Sequence, residues 1–147
     1  MNSQSVHPDH EGTIQGDHQR LKAKLARLHE QLVSACLTPA QTDREFSQVE
    51  AEMDEHFGRE ESGFFAEILE LAPELNERVL NLLREHKELR QVFRALRKTC
   101  RWACGESGMR AGWLAEFAEF HQRFNEHEQA EHELLHESLQ RDLGAGD

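Results

Sequence analysis

Several residue types that build common functional sites are absent or rare in this sequence. There is no tyrosine, so no phenol can act as a metal ligand, proton donor or radical carrier. The three cysteines are an odd number without a dense framework, which indicates reduced thiols rather than a disulfide scaffold. Only three prolines interrupt a composition that is 31% charged and 37% hydrophobic. This mixture is typical of long amphipathic helices.

The sequence also lacks long apolar runs and an excess of positive charge. No segment approaches the roughly 18 apolar residues that a membrane span requires. The stretch from Met1 to His10 is polar and has no apolar signal-peptide region. A formal net charge of −11 argues against nucleic acid and against anionic membranes as partners. We therefore expect a cytoplasmic location, and the sequence identifies no protein partner.

Apolar residues recur at three- and four-residue steps along four segments, which predicts four amphipathic helices. The predicted helices run from about Thr13 to Cys36, from Thr42 to Leu71, from Glu74 to Trp102 and from Met109 to Asp142. Thr42 and Glu45 form a capping-box pattern at the start of the second helix.

No alternation typical of strands accompanies these segments, and the connections between them are short. We therefore predict an all-α fold, an up-down-up-down four-helix bundle over residues 13–142. A polar leader over residues 1–12 precedes the bundle, and a tail over residues 143–147 follows it.

Six polar side chains occupy positions in these apolar series where an inward-facing residue is expected. They form two similar sets, each a histidine followed by a His-x-x-x-Glu pair on the next helix: His18 with His56 and Glu60, and His86 with His127 and Glu131. One histidine in a core is usually explained by a hydrogen bond to a neighbour. Four histidines and two glutamates are too many unpaired polar groups for an apolar core.

The six side chains predict a site for two metal ions. They exceed the ligand number of one tetrahedral zinc, and imidazole with carboxylate suits iron, zinc or manganese. Each ion would take two histidines, and both glutamates would bridge. Asp17 and Glu85 each precede one of these histidines, but adjacent residues do not share a helix face, so neither is a predicted ligand.

Other notable residues have both a structural and a functional interpretation. The aromatic residues of the fourth helix indicate core packing or, alternatively, a dry vestibule above the metals. Cys100 and Cys104 are inert packing residues or a redox switch. The remaining histidines are predicted to be solvated or flanking, either at the polar N-terminus or beside the site: His7, His10, His29, His121, His132 and His136.

The assembled motifs resemble the hemerythrin-like family, the HHE cation-binding domains. The similarity spans roughly residues 13–142 and includes Asp17-His18, His56 to Glu61, Glu85 to Leu89, and His127 to Glu131. Oxygen-carrying hemerythrins have a further histidine one turn along the third helix, where this chain has Arg90 or Leu82, and His-x-x-x-x-Asp on the fourth. The set of four histidines and two glutamates is more similar to the repair-of-iron-centres proteins.

The resemblance implies a cofactor of two iron ions in an oxo- or hydroxo-bridged di-iron centre. It also implies that the protein binds or reacts with O2 or NO as small ligands, in sensing or in oxidative and nitrosative stress. Three alternatives stay open: an iron donor for iron-sulfur cluster repair, a peroxidase-like enzyme and a simple metal store.

Overall fold

Helices make up almost all of the computed structural model, which describes residues 8–105 and 108–144, with side chains at 16–103, 105 and 108–141. The described elements are α1 (Pro8–Ser34), α2 (Pro39–Ser62), α3 (Phe64–Leu71), a 3-10 turn (Pro73–Leu75), α4 (Asn76–Gly105) and α5 (Arg110–Gly144). No strand occurs among the described residues, and the predicted all-α fold is confirmed.

The helices pack as a four-sided bundle. α1 packs against α2 and α5, and α4 packs against the same two helices from the opposite side. α2 and α3 together form one side, because α3 continues from the end of α2 after a break at Gly63. Short connections between successive helices give the predicted up-down-up-down order. None of the described helices is both long and apolar enough to cross a membrane.

The start of α2 differs from the prediction. Thr38, not Thr42, caps the helix: its hydroxyl accepts a hydrogen bond from the Gln41 amide (3.2 Å), and the Gln41 side chain accepts from the Thr38 amide (2.9 Å). Pro39 then occupies the first turn, where its missing N–H costs nothing. Thr42 instead donates its hydroxyl to the Thr38 carbonyl. A second capping-box pattern one turn earlier in the sequence therefore sets the boundary.

Two other helix boundaries also differ from the prediction. α1 begins at Pro8, five residues before the predicted start, while residues 1–7 and 145–147 lie outside the described residues. The single helix predicted from Thr42 to Leu71 is broken at Gly63, whose ψ of −106° departs from the helical value of about −42°. The division into leader, bundle and tail stays a prediction.

The core consists of two apolar clusters stacked along the bundle axis. The first contains leucines of α1, Phe46 and Phe57 of α2, and the aromatic residues of α5 from Trp113 to Phe124. The second contains Phe64 and Phe65 of α3 with apolar residues of α4 and the end of α5. Glu60, His86, His127 and Glu131 lie between residues of the two clusters along their helices. His18 precedes the leucines of the first cluster on α1, and His56 lies beside Met53 and Phe57 of that cluster.

Candidate metal centre

The structure brings the six polar side chains together in the bundle interior. Each is 8% exposed or less, and four of the six are 1% exposed or less. α1 contributes His18, α4 contributes His86, and a His-x-x-x-Glu pair comes from each of α2 and α5. Residues four apart on a helix share a face, which directs both members of each pair inward.

Ligand-type atoms in the layer form two groups, each compact enough for one metal ion. In the first, His18, His56, Glu60 and Glu131 offer atoms that all lie within 4.8 Å of one another. Glu60 is central to it, because its Oε1 lies 3.1 Å from His56 Nε2 and its Oε2 lies 3.5 Å from His18 Nε2.

The second group shares a residue with the first. His86, His127 and Glu131 meet the same 4.8 Å condition. Glu131 Oε2 lies 3.0 Å from His18 Nε2, whereas its Oε1 lies 2.8 Å from His86 Nε2 and also contacts His127 Nε2. One oxygen therefore faces each group, which is the arrangement of a bridging carboxylate. Glu60 also reaches across, with its Oε1 3.5 Å from His86 Nε2.

The hydrogen bonding of these side chains fits a metal better than it fits a polar network. Both oxygens of Glu60, both ring nitrogens of His56 and Nε2 of His127 are buried and make no hydrogen bond of acceptable geometry among the described residues, although Glu60 Oε1 and Glu131 Oε1 lie close to His56 Nε2 and His127 Nε2. Buried polar atoms of this kind are costly unless something satisfies them. Cations satisfy carboxylate oxygens and neutral imidazole nitrogens together, and the donor set suits iron, zinc or manganese.

Burial and close contacts in the polar layer also shift the pKa values of three of the six side chains. Burial lowers the pKa of His18, but Glu131 and Glu60 more than reverse this and raise it to about 10. The same opposing effects raise the pKa of His86 to about 9. Burial alone would raise the pKa of Glu131, yet its contacts with Glu60 and three histidines hold that pKa well below its usual range. Without a metal, protons on these imidazoles therefore balance the two carboxylates.

Carboxylates of a second layer face the outer nitrogens of three histidines. Glu85 lies 3.3 Å from His127 Nδ1, and Glu61 lies 3.4 Å from His86 Nδ1. Asp17 lies farther from His56 Nδ1, at 3.9 Å.

The sequence indicated that Asp17 and Glu85 are not ligands, but it did not indicate that they face histidines of other helices. Asp17 faces His56 across α1 and α2 but is too distant to form a hydrogen bond with it. Glu85 supports His127 on a neighbouring helix and not the histidine beside it in sequence. Such partners fix the tautomer and orientation of metal-binding imidazoles.

Replacing Glu85 with glutamine is expected to weaken metal binding by roughly 10- to 100-fold, because His127 loses its carboxylate partner. Glu88→Gln is the matched control, since Glu88 lies on the same helix, is similarly exposed and pairs with Arg123 instead. Competition with a chelator of known affinity measures both variants. Equal affinity of Glu85→Gln and the unmodified protein would contradict the supporting role.

Glu128 is a further buried carboxylate that sequence reasoning missed. It is 4% exposed, and neither oxygen has a hydrogen-bond partner among the described residues. Burial, reinforced by the charge of Glu131 and opposed by His18, raises its pKa to about 8. It belongs to neither metal group. It lies near His18 and Lys22 of α1, which packs on α5.

The remaining histidines are mostly where the sequence indicated. His132 and His136 are exposed. His29 and His121 are half-buried and face each other across α1 and α5, with their Nδ1 atoms 2.8 Å apart. Desolvation, together with the charges of His29 and Lys22, lowers the pKa of His121. His7 and the side chain of His10 lie outside the described residues.

Arg90 and Leu82 stand where oxygen carriers have a further histidine, and neither reaches the metal layer as a ligand. The Arg90 guanidinium binds Glu61 (3.0 Å) and Asp54 (3.1 Å) and lies 5.2 Å from the centre of the Phe57 ring. Leu82 is buried in the second apolar cluster. Arg90 thus holds Glu61 against His86 and covers Phe57.

Family comparison agrees with this arrangement. The model of the hemerythrin HHE cation binding domain matches residues 11–139, which is most of the chain. The chain belongs to the hemerythrin HHE family. The resemblance inferred from the motifs is confirmed at the level of the family, and this HHE domain carries a buried His/Glu cluster able to hold metal ions. Searches of curated proteins and of solved structures found no match.

Proposed function

We propose that this HHE domain holds two iron ions and binds or reacts with dioxygen or nitric oxide in sensing or in oxidative and nitrosative stress. The observation that carries the proposal is the pair of ligand groups that share Glu131. In this assignment His18, His56 and Glu60 hold one ion, His86 and His127 hold the other, and Glu131 contributes to both. Iron in such a site supplies one-electron redox chemistry and an affinity for diatomic gases.

The surroundings of the site favour a small uncharged ligand. Phe57 stacks on His86 with ring centres 3.9 Å apart and an interplanar angle of 8°, and its ring lies edge-on to His127. Phe65 packs on the other side of His86, at 5.4 Å. These rings exclude water from the second ligand group, and an apolar diatomic molecule enters such surroundings with little desolvation cost.

An unbroken series of aromatic contacts extends this apolar environment through the bundle. Neighbouring ring centres are 5.3 to 6.4 Å apart along the series Phe46, Phe93, Phe120, Phe124 and Phe57. The aromatic residues of α5 therefore pack in the core and also connect it to the site. This supports the dry vestibule as part of the proposal.

The burial of the six side chains favours a metal that stays bound as a cofactor over a metal that the protein stores or delivers to another molecule. A store or an iron donor must release its metal, whereas all six side chains here are 8% exposed or less. Nothing comparable favours the peroxidase-like alternative, so O2 or NO binding is the function that we propose. We also propose, from the ligand set alone, that the site is of the four-histidine, two-glutamate type found in iron-centre repair proteins.

The test is to load the protein with iron, reduce it without air and titrate it with nitric oxide. We expect about two iron ions per chain and a new visible absorption and paramagnetic signal that saturates as nitric oxide binds. Leu80→Gln, a change at an exposed apolar position that belongs to neither ligand group, is the control and should behave as the unmodified protein does. Zinc or manganese bound in preference to iron, or no spectral change with nitric oxide or air, would overturn the proposal.

A further inference from the structure

The bundle contains a cavity at the end away from the metal layer, which we call the end pocket. Its volume is about 780 Å³, within the range of small-molecule binding sites. The end of α1, the start of α2, the end of α4 and the start of α5 line it. Leu32, one of its lining residues, follows His18 by fourteen residues, or about 21 Å along α1. The end pocket is thus separate from the metal layer.

The floor of the end pocket is apolar. Leu32 and Phe46 are 6% and 0% exposed, and the buried thiol of Cys100 lies beside them. Leu37 and Pro39, in the turn between α1 and α2, complete one wall. An apolar ligand body would therefore contact side chains that already belong to the first core cluster.

The rim of the end pocket is basic, in contrast to the acidic chain. Five of the 17 Lys and Arg side chains line it, against two of the 28 Asp and Glu side chains. The five are Arg94, Arg97, Lys98, Arg101 and Arg110. A concentration of positive charge at one cavity of a chain with net charge −11 attracts an anion there.

Three of the five basic side chains already have partners. Arg94 and Arg97 bind Glu50 at 2.9 Å each, and Arg97 also binds Asp43 at 3.2 Å. Arg110 donates to the Leu32 carbonyl at 2.8 Å at the end of α1.

Lys98 and Arg101, in contrast, form no ion pair within the described part of the chain, and both side chains are exposed. They lie three residues apart on α4, so they face the same side of the helix and can act on one anionic group together.

We propose that the end pocket binds a free amphiphilic carboxylate. The apolar body lies on the floor formed by Leu32 and Phe46, and the carboxylate accepts charge-assisted hydrogen bonds from Lys98 and Arg101. An inorganic anion would leave the floor uncovered, and an apolar cation would meet the positive rim. This site is independent of the metal layer and does not rest on the function proposed for it.

The test uses the full chain as purified and decanoate as the probe, with calorimetric titration below the concentration at which decanoate forms micelles. Decanoate is expected to bind with one site per chain. Butyrate, which keeps the charge but lacks most of the apolar body, and decyltrimethylammonium, which reverses the charge, should each bind at least about tenfold more weakly. Equal binding of decanoate and decyltrimethylammonium would overturn the proposal.

Variants locate the site. Lys98→Gln with Arg101→Gln is expected to weaken decanoate binding at least about tenfold. The matched control, Arg27→Gln with Arg84→Gln, makes the same change in net charge at exposed positions that do not line the end pocket and should stay within about twofold. Both double variants should keep the helical circular-dichroism spectrum and the urea unfolding midpoint of the unmodified protein, which shows that they fold. Equal weakening in both variants would overturn the assignment.

Fluorescence provides a second readout inside the protein. Trp113 is buried, and its ring centre lies 6.1 Å from that of Phe46 on the floor of the end pocket. In a Trp102→Phe background, which removes the exposed tryptophan, decanoate should change the Trp113 emission with the same midpoint as the calorimetric titration. An unchanged emission at saturation, or tighter binding to phosphatidylglycerol vesicles that is lost in the Lys98/Arg101 variant, would overturn the proposal in favour of a surface or membrane contact.

Discussion

Replacing Glu131 with glutamine is expected to remove both metal ions from the protein. Glu131 belongs to both ligand groups, and its two oxygens face histidines of different groups. Glutamine keeps the shape but removes the charge and one of the two ligand oxygens. Metal analysis after dialysis against a chelator should show a fall from about two ions per chain to nearly none.

Two further variants test whether the loss of both metal ions is specific to Glu131. Glu60→Gln should retain more metal than Glu131→Gln, because the group of His86, His127 and Glu131 does not include Glu60. Glu128→Gln is the matched control: it is also a buried glutamate of α5, but it belongs to neither group and should keep both ions. Two ions retained in Glu131→Gln, or equal losses in Glu128→Gln, would show that Glu131 is not the shared ligand.

Removing the metal is expected to make stability depend on pH in a defined window. In metal-free protein the pKa values of His18 and His86 are raised to about 10 and about 9, above the 6.5 of an ordinary histidine. The folded state therefore binds more protons than the unfolded state between these values. This contribution to stability is complete below about pH 6.5 and is lost as pH rises through about 9 to 10. The loss is on the order of a few kcal/mol.

Metal-loaded protein should not show this loss, because imidazole must be neutral to bind a metal. Metal binding also stabilises the folded state by mass action. Loading should therefore release protons at neutral pH, and the gain in unfolding free energy on loading should grow between about pH 7 and pH 9.

Urea unfolding of chelated and metal-loaded protein at several pH values measures both effects. The His132→Gln variant, altered at an exposed histidine outside the site, should follow the unmodified protein. A flat stability profile for the chelated protein across this range, or an identical profile for the two forms, would contradict the prediction.

The positions of the six site residues were predictable because helical periodicity is a local property. Each histidine or glutamate falls where the three- and four-residue spacing calls for an apolar side chain, and the structure buries all six. Their ligation of metal stays a prediction. The same local rule located the helices but misplaced the start of α2 and predicted one helix across Gly63, where the structure has a break. Two capping-box patterns compete at the start of α2. A single glycine such as Gly63 does not by itself specify a break in a helix.

Relations between helices were not predictable from spacing. Asp17 faces His56 and Glu85 faces His127, each across to a neighbouring helix, because the side chain next to an inward-facing histidine points toward the adjacent helix. Glu128 is buried for a similar reason: it lies near His18 and Lys22 of α1, which packs on α5, whereas its own sequence surroundings are polar. The end pocket likewise forms only where the ends of four helices meet.

The amino-acid sequence by itself determined the helical fold class, the family and the six polar positions in the core, since each depends on residue type and on spacing within a helix. The tertiary structure alone decided that Glu131 belongs to both ligand groups whereas Glu60 belongs to one, which carboxylate supports His127, and that five basic side chains surround one apolar cavity. These features depend on the distances between side chains of different helices, and such distances are set by how the helices rotate and pack against one another.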